Sequence, residues 1–283
     1  MGCRLHSLRR NAPLRSPRVF TAIIRPFLLL VKNRELLKVM TARLWLSRGK
    51  GGALHLLWPL ITPAIMLIIY YFAFGVILNL RNLSSGSDYA LEMFCGMAVF
   101  NLFAETVNAS AYSLTSQANL VKKAVFDLEV IPLATTGCAA ISGVLYLVVV
   151  LAASLFGGGI GAEIVKLPPL FVSYLFFCAG FAFLVSSLSV FISDLPMLLP
   201  LFTQALFFLT PIIYPRSIVP QNLLPVIDLN PLTAFVCAIR DSILNTGAVP
   251  PAKLLTLFIL GPAGFLIGYA FFAKTKKGFP DVL

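Results

Sequence analysis

With 59% hydrophobic and only 12% charged residues in 283, the chain carries more apolar surface than one soluble core can hide, and a bilayer is the solvent that fits. The net charge of +11 does not indicate nucleic acid: no fold that usually supplies a basic recognition surface is visible, and twelve of the 22 Lys and Arg lie between Arg4 and Lys50, ahead of the first long apolar run. A basic segment beside a membrane span is held by anionic lipid, and the length suits about six spans of roughly 20 apolar residues each.

Residues 1–32 read as a basic cytoplasmic extension. Its apolar stretch from Phe27 to Val31 is short and interrupted by Arg25, Pro26 and Lys32, so no cleavable signal is expected. His6 stands where a myristoylation signal needs Ser or Thr. Over residues 33–50, Leu36, Leu37, Met40, Leu44 and Trp45 fall near helical spacing, with Arg34, Lys38 and Arg43 interleaved. That pattern fits a helix in the cytoplasmic interface with Trp45 at headgroup level, or an ordinary solvated helix capped on a protein core.

Charge-free intervals then mark the spans within residues 51–273. Span one runs from Leu54 to Leu78 and span two from Glu92 to about Ser113, interrupted by Glu105. Span three covers about 131–156, and span four lies within 167–193, opened by Pro168 and Pro169, which suit a helix's first turn. Spans five and six lie within 195–215 and 254–273. A carboxylate at depth costs about 2.5–3.5 kcal/mol on insertion scales, so Glu105 is expected to face protein or water, or to sit at the interface.

Two further segments are neither span nor simple loop. Residues 114–130 combine Lys122, Lys123, Asp127 and Glu129, expected to be exposed, with an apolar side of Leu120, Val121, Ala124, Val125 and Leu128. Composition leaves a solvated turn and a docking element for a cytoplasmic partner equally open. Residues 216–252 alternate short apolar runs with Pro220, Pro225 and Pro231. They suit re-entrant half-helices breaking at Asp228 and Asn230–Pro231, which are tolerated at membrane depth only inside protein or along a cavity. A pair of amphipathic helices on the outer surface is the alternative.

Six spans put both termini, with the tail 274–283, on one side. That side carries seventeen Lys and Arg against five on the other, so the positive-inside rule places both termini in the cytoplasm. Cys3, Cys95, Cys138, Cys178 and Cys237 show no paired spacing and read as small buried side chains. His6 and His55 are too few for a metal cluster.

Three blocks, in this order and spacing, resemble the permeases that export O-antigen, capsule or teichoic acid. The first is RELLKVMTARLWLSRGKGGALHLLWPLITPAIML, with Gly51, Leu57, Trp58, Pro59 and Pro63 at the entry to span one. The second is NLVKKAVFDLEVIPLA, residues 119–134, and the third is LTPIIYPRSIVPQNLLPVIDLNPLTAFVCAIRDSIL, residues 209–244. One departure is the absence of Arg near Glu129, where many relatives carry one.

The resemblance implies an all-α membrane protein of the type V ABC exporter kind. It would have six transmembrane helices, an N-terminal amphipathic interfacial helix and a re-entrant outer hairpin, in a bacterial inner membrane. It also implies a homodimer joined to two copies of a separate ATPase subunit. This chain has no G-x-x-x-x-G-K-[ST] loop, so ATP and Mg are expected in the partner, with no cofactor or metal and no enzymatic activity here. The expected cargo is an undecaprenyl-diphosphate-linked glycan, most readily O-antigen. Teichoic acid, capsule or a small lipid or drug are alternatives, and a membrane enzyme acting on a lipid carrier is a more distant one.

By the same resemblance, Asn119, Leu120, Lys122, Lys123, Phe126, Asp127, Leu128 and Glu129 would couple to the ATPase. Tyr70, Tyr71, Phe74, Phe100, Phe103, Phe207, Phe208, Tyr214 and Phe235, with Glu105, are candidates for the conduit, where rings stack on sugars. Phe at helical spacing equally packs against lipid or neighbouring helices. Arg43, Arg48 and Lys50 are candidates for the lipid diphosphate at the cytoplasmic rim, or for ordinary anionic phospholipid.

Overall fold

The computed structural model describes residues 18–48, 58–77, 89–123, 126–157, 161–214, 219–245 and 250–283, and every regular element among them is helical. In chain order these are α1 (Arg18–Lys32), α2 (Arg34–Ser47), α3 (Trp58–Tyr70), α4 (Tyr89–Ala111), α5 (Ala118–Lys123), α6 (Val130–Gly157), α7 (Leu167–Phe191), α8 (Leu195–Leu209), α9 (Leu224–Leu229), α10 (Pro231–Leu244), α11 (Pro251–Thr275) and α12 (Phe279–Val282). A π-helical stretch, Tyr71–Ile77, extends α3. Prolines open α7, α8, α9, α10 and α11 within their first two positions, where the missing N–H breaks no helical bond.

Four stretches among the described residues are long and apolar enough to cross a membrane: Tyr89–Ala111, Val130–Leu155, Glu163–Phe191 and Ala252–Val282. They fall on expected spans two, three, four and six. The segments expected as spans one and five hold shorter apolar helices, Ile61–Ala73 and Leu195–Leu209. Part of expected span one lies outside the described residues.

Cross-helix contacts fix the directions. Ser110 meets Thr135 at 2.9 Å and Ser142 meets Glu105 at 3.2 Å, so α6 runs against α4. Asn108 donates to Thr203 while Phe100 packs on Phe207, so α8 also opposes α4. Tyr174 donates to the Val99 carbonyl and Phe103 stacks on Phe177, which makes α7 parallel to α4. Ser173 donates to the Leu257 carbonyl and Phe183 packs on Phe272, so α11 follows α7.

α4 is the central helix, packed by α6, α7, α8 and α10. The α7–α11 crossing is the tightest, because it is lined by glycine. A Cβ on Gly180 would stand 2.3 Å from the Gly264 carbonyl oxygen, and one on Gly268 only 2.1 Å from that of Gly180. Small residues let backbones approach where lipid offers no hydrophobic drive to association.

In the segment expected as the outer hairpin, the chain breaks at Asn230, between α9 and α10. Asn230 accepts from the Leu232 amide at 3.0 Å as the N-cap of α10, while its amide group donates to Thr210 at the end of α8. α10 is buried along one face by Leu232, Phe235, Val236, Ile239 and Ile243, against α4 and α7. Its far end closes on Asn245 in the left-handed region (φ 52°), beside Gly161. The first arm is slighter: α9 has six residues, of which only Ile227 is buried.

Two terminal segments carry more structure than the sequence suggested. Part of the basic extension forms α1, whose Phe27 sits 5.5 and 5.4 Å from the rings of Phe176 and Phe265. The expected tail is folded: α11 gives way to a 3₁₀ turn, Lys276–Gly278, and then to α12, with Phe279 fully buried. Apolar side chains at a chain end pack wherever a greasy surface is left open beside them.

Candidate functional site

The residues expected to meet a partner lie in the connection between α4 and α6. A 3₁₀ turn at Thr115–Gln117 leads into α5, and Phe126 to Glu129 form a bend and turn before α6 begins. Asn119, Leu120 and Lys122 sit on the accessible side of α5, while Val121 is completely buried. The side chain of Lys123, and Ala124 and Val125 altogether, lie outside the described residues.

The carboxylates of this connection do not stand free, and this corrects the sequence expectation. Glu129 is buried, its side chain 3% exposed, and its Oε1 accepts from Lys276 Nζ at 2.6 Å. Leu128 is buried beside it, and Phe126 is half-buried on the same apolar cluster. Asp127 is half-buried and accepts from Asn33 Nδ2 at 2.8 Å and from Lys32 Nζ at 3.4 Å. The Asn33 hydrogen bond, reinforced by the Lys32 charge, holds the Asp127 carboxyl below the usual carboxylate value against the opposing effect of partial burial. The connection is thus tied both to the α1–α2 junction and to the end of α11.

A second charged contact lies higher on the bundle. Arg48, just past α2, donates to Glu105 on α4 and, at 3.3 Å, to Ser142 on α6; Ser142 donates to Glu105 in turn. The Arg48 guanidinium also lies 5.9 Å from the Trp45 ring centre. Glu105 therefore has protein partners, Arg48 and Ser142, with its side chain 24% exposed. Arg48, a candidate for the head-group rim, is the partner of a conduit candidate and stays 40% exposed at its side chain. Arg43 is exposed, and Lys50 lies outside the described residues.

α2 links these two contacts. Asn33 anchors its start, Thr41 rests on Gly137 midway along, and Arg48 fastens its end. Leu36, Leu37, Met40, Thr41, Leu44 and Trp45 are the half-buried residues of this helix and none is fully buried, so α2 lies on the surface of α6.

The aromatic candidates divide sharply. Phe100, Phe103 and Phe235 are 3%, 1% and 0% exposed and form the packing core with Tyr174, Phe177 and Phe181. They cannot line a path in this arrangement, which corrects their assignment to the conduit. Tyr71 and Phe208 are exposed, and Tyr70, Phe207 and Tyr214 are half-buried. Tyr214 donates to the Phe208 carbonyl at 2.7 Å, and Tyr89 donates to that of Ile213, so both tyrosines shape the end of α8. The side chain of Phe74 lies outside the described residues.

Sequence reasoning missed Lys276, Asn33, Lys32 and Ser142. A basic residue after a last apolar helix and a lone Asn between two helices are visible signals, but neither names its partner. Among the described residues no three His, Cys, Asp or Glu side chains gather as metal ligands, and the carboxylates of these contacts are each paired with a base rather than with one another.

Residues 35–244 match the protein family described as "ABC-2 type transporter". Over 254 residues the chain is 28% identical to an O-antigen export system permease protein RfbA of Klebsiella pneumoniae, covering 88% of this chain and 95% of that one. A second Klebsiella pneumoniae protein of the same name is 26% identical with the same coverage. A third such permease, from Myxococcus xanthus, is 23% identical over 194 residues, 68% of this chain and 73% of that one.

Proposed function

Because this chain belongs to the ABC-2 type transporter family, we propose that it is the membrane-spanning permease subunit of an ATP-driven exporter that moves a lipid-linked O-antigen polysaccharide across the inner membrane. The observation that carries this reading is likeness to O-antigen export permeases over 88% of the chain, not over one motif. In this reading two copies form the path, and two copies of a separate subunit bind ATP and Mg. The connection at 115–129 is where that subunit pushes. Its accessible side, Asn119, Leu120 and Lys122, makes the contact, while Asp127 and Glu129 relay the push into α2 and α11.

The bundle would cross the membrane six times, α3 and α8 completing the four longer helices, with both termini in the cytoplasm. Support comes from the exposed apolar faces of these two helices, including Ile65, Ile68 and Phe72 on one and Met197, Leu201 and Phe202 on the other. Such faces suit lipid or a second copy. Exposed and half-buried aromatics, Tyr71, Phe207, Phe208 and Tyr214, would offer weak stacking to sugars. Arg43 would meet the diphosphate of an undecaprenyl-linked glycan.

Removing the chain from its host should abolish surface glycan and leave lipid-linked glycan on the inner leaflet, and inactivating the phosphate loop of the ATPase subunit should give the same result. Normal surface glycan without the chain would reject the reading.

A further inference from the structure

The pair formed by Glu129 and Lys276 joins points 147 residues apart in the chain. It does not act alone. α12 packs against α5 and α7, and Phe279 is buried with its ring 5.9 Å from Phe191 and 5.4 Å from Phe272. Leu114, Val121 and Leu128 of the α4–α6 connection belong to the same apolar cluster as Phe272 and Phe279, and Leu283 packs on it. The folded tail therefore touches the connection at both of its ends, by packing at α5 and by charge at Glu129.

Stability is a poor explanation for the charge. One Glu129 oxygen is paired, but the other is buried with no hydrogen-bond partner, and a neutral side chain of similar size would fill this place without that penalty. The best-attested use of a buried ion pair is to fix register, because a shifted arrangement would leave a charge unpaired in an apolar setting. We infer that residues 276–283 are a brace that sets the register of residues 115–129 against α11, with Lys276 as a positioning residue fastened to Glu129. A push on the connection is then delivered to α11, and through the glycine crossing to α7, instead of being absorbed by a bending loop. The transport side of this inference rests on the reading that the connection meets the ATPase subunit; the brace itself does not.

Two measurements on the full chain test it. In detergent, amide exchange over residues 115–130 should quicken by about tenfold in Glu129→Gln and in the double variant and by more than that in Lys276→Met, while Lys276→Arg stays at the wild-type rate. The double variant is decisive, since removing both charges leaves the fold no unpaired ion. Unchanged exchange in it overturns the brace. In vesicles holding the ATPase subunit and lipid-linked glycan, the double variant should move about tenfold less glycan per ATP while hydrolysis per complex stays within about twofold. Faster exchange with unaltered glycan per ATP overturns the role in transport. If the wild type moves no glycan while exchange responds as stated, the brace is upheld and the functional reading fails.

Discussion

Single side chains here are decided by where their charges can go. Lys276 is partly exposed and can swing to water, whereas Glu129 cannot. Lys276→Met should therefore destabilise the chain by about 3–5 kcal/mol, and Glu129→Gln by clearly less, in reversible unfolding from mixed micelles. Equal effects would mean that Glu129 finds another partner. The contact between Arg48 and Glu105 is more open, with side chains 40% and 24% exposed. A double-mutant cycle through Arg48→Gln and Glu105→Gln is expected to give a coupling of only about 1 kcal/mol. For Asp127 the folded carboxyl is held below its unfolded value, so its ties to Asn33 and Lys32 stabilise fully above about pH 4 and are lost as pH falls through the lowered value. Relative to the intrinsic exchange rate at each pH, amide protection at the α1–α2 junction should accordingly hold between about pH 5 and 8 and fall below about pH 4. Loosening near neutrality would contradict the assignment.

Among the elements, the α7–α11 crossing makes the sharpest demand. A methyl group at Gly180 meets backbone at 2.3 Å, whereas one at Gly264 meets nothing closer than the Phe177 ring edge at 3.4 Å. Gly180→Ala should cost about 1–3 kcal/mol by overpacking and Gly264→Ala next to nothing, read as unfolding midpoints in the same micelles. Similar losses at both would refute so close an approach of the two helices at Gly180. The α10 helix depends on its cap: Asn230→Ala removes both the Leu232 contact and the Thr210 contact, a loss of about 1 kcal/mol that should show first as faster exchange at the start of α10. Helix positions themselves were legible because prolines and charges punctuate the chain: expected spans two, three and four differ from α4, α6 and α7 by only a few residues at either end. The α1 helix was not, since Arg25 and Pro26 interrupt its apolar run and only the Phe176–Phe265 surface gives that run a place to pack.

For the molecule as a whole, orientation is the property that charge counting addresses. In a cysteine-free background, Asn245→Cys should react with a membrane-impermeant thiol reagent added outside, and Lys277→Cys only after the membrane is opened, as both positions are exposed on the protein. The reverse pattern would overturn the cytoplasmic placement of the termini. A chain this apolar, with its basic residues massed before the first apolar run, was bound to be a helical membrane protein, because only helices can satisfy their own backbone in hydrocarbon without closing a barrel. Its sequence also carried the likeness to exporters, since three separate blocks stood in order. What composition could not decide was partnership. Glu105 and Glu129 looked alike as carboxylates near apolar runs, yet one meets Arg48 and Ser142 and the other meets Lys276. Phe103 and Phe208 looked alike as rings on helices, yet one is core and the other open. Periodicity records which residues share a helix face, but which helix that face meets depends on packing between segments from tens of residues to more than a hundred residues apart, and only the tertiary structure decides that.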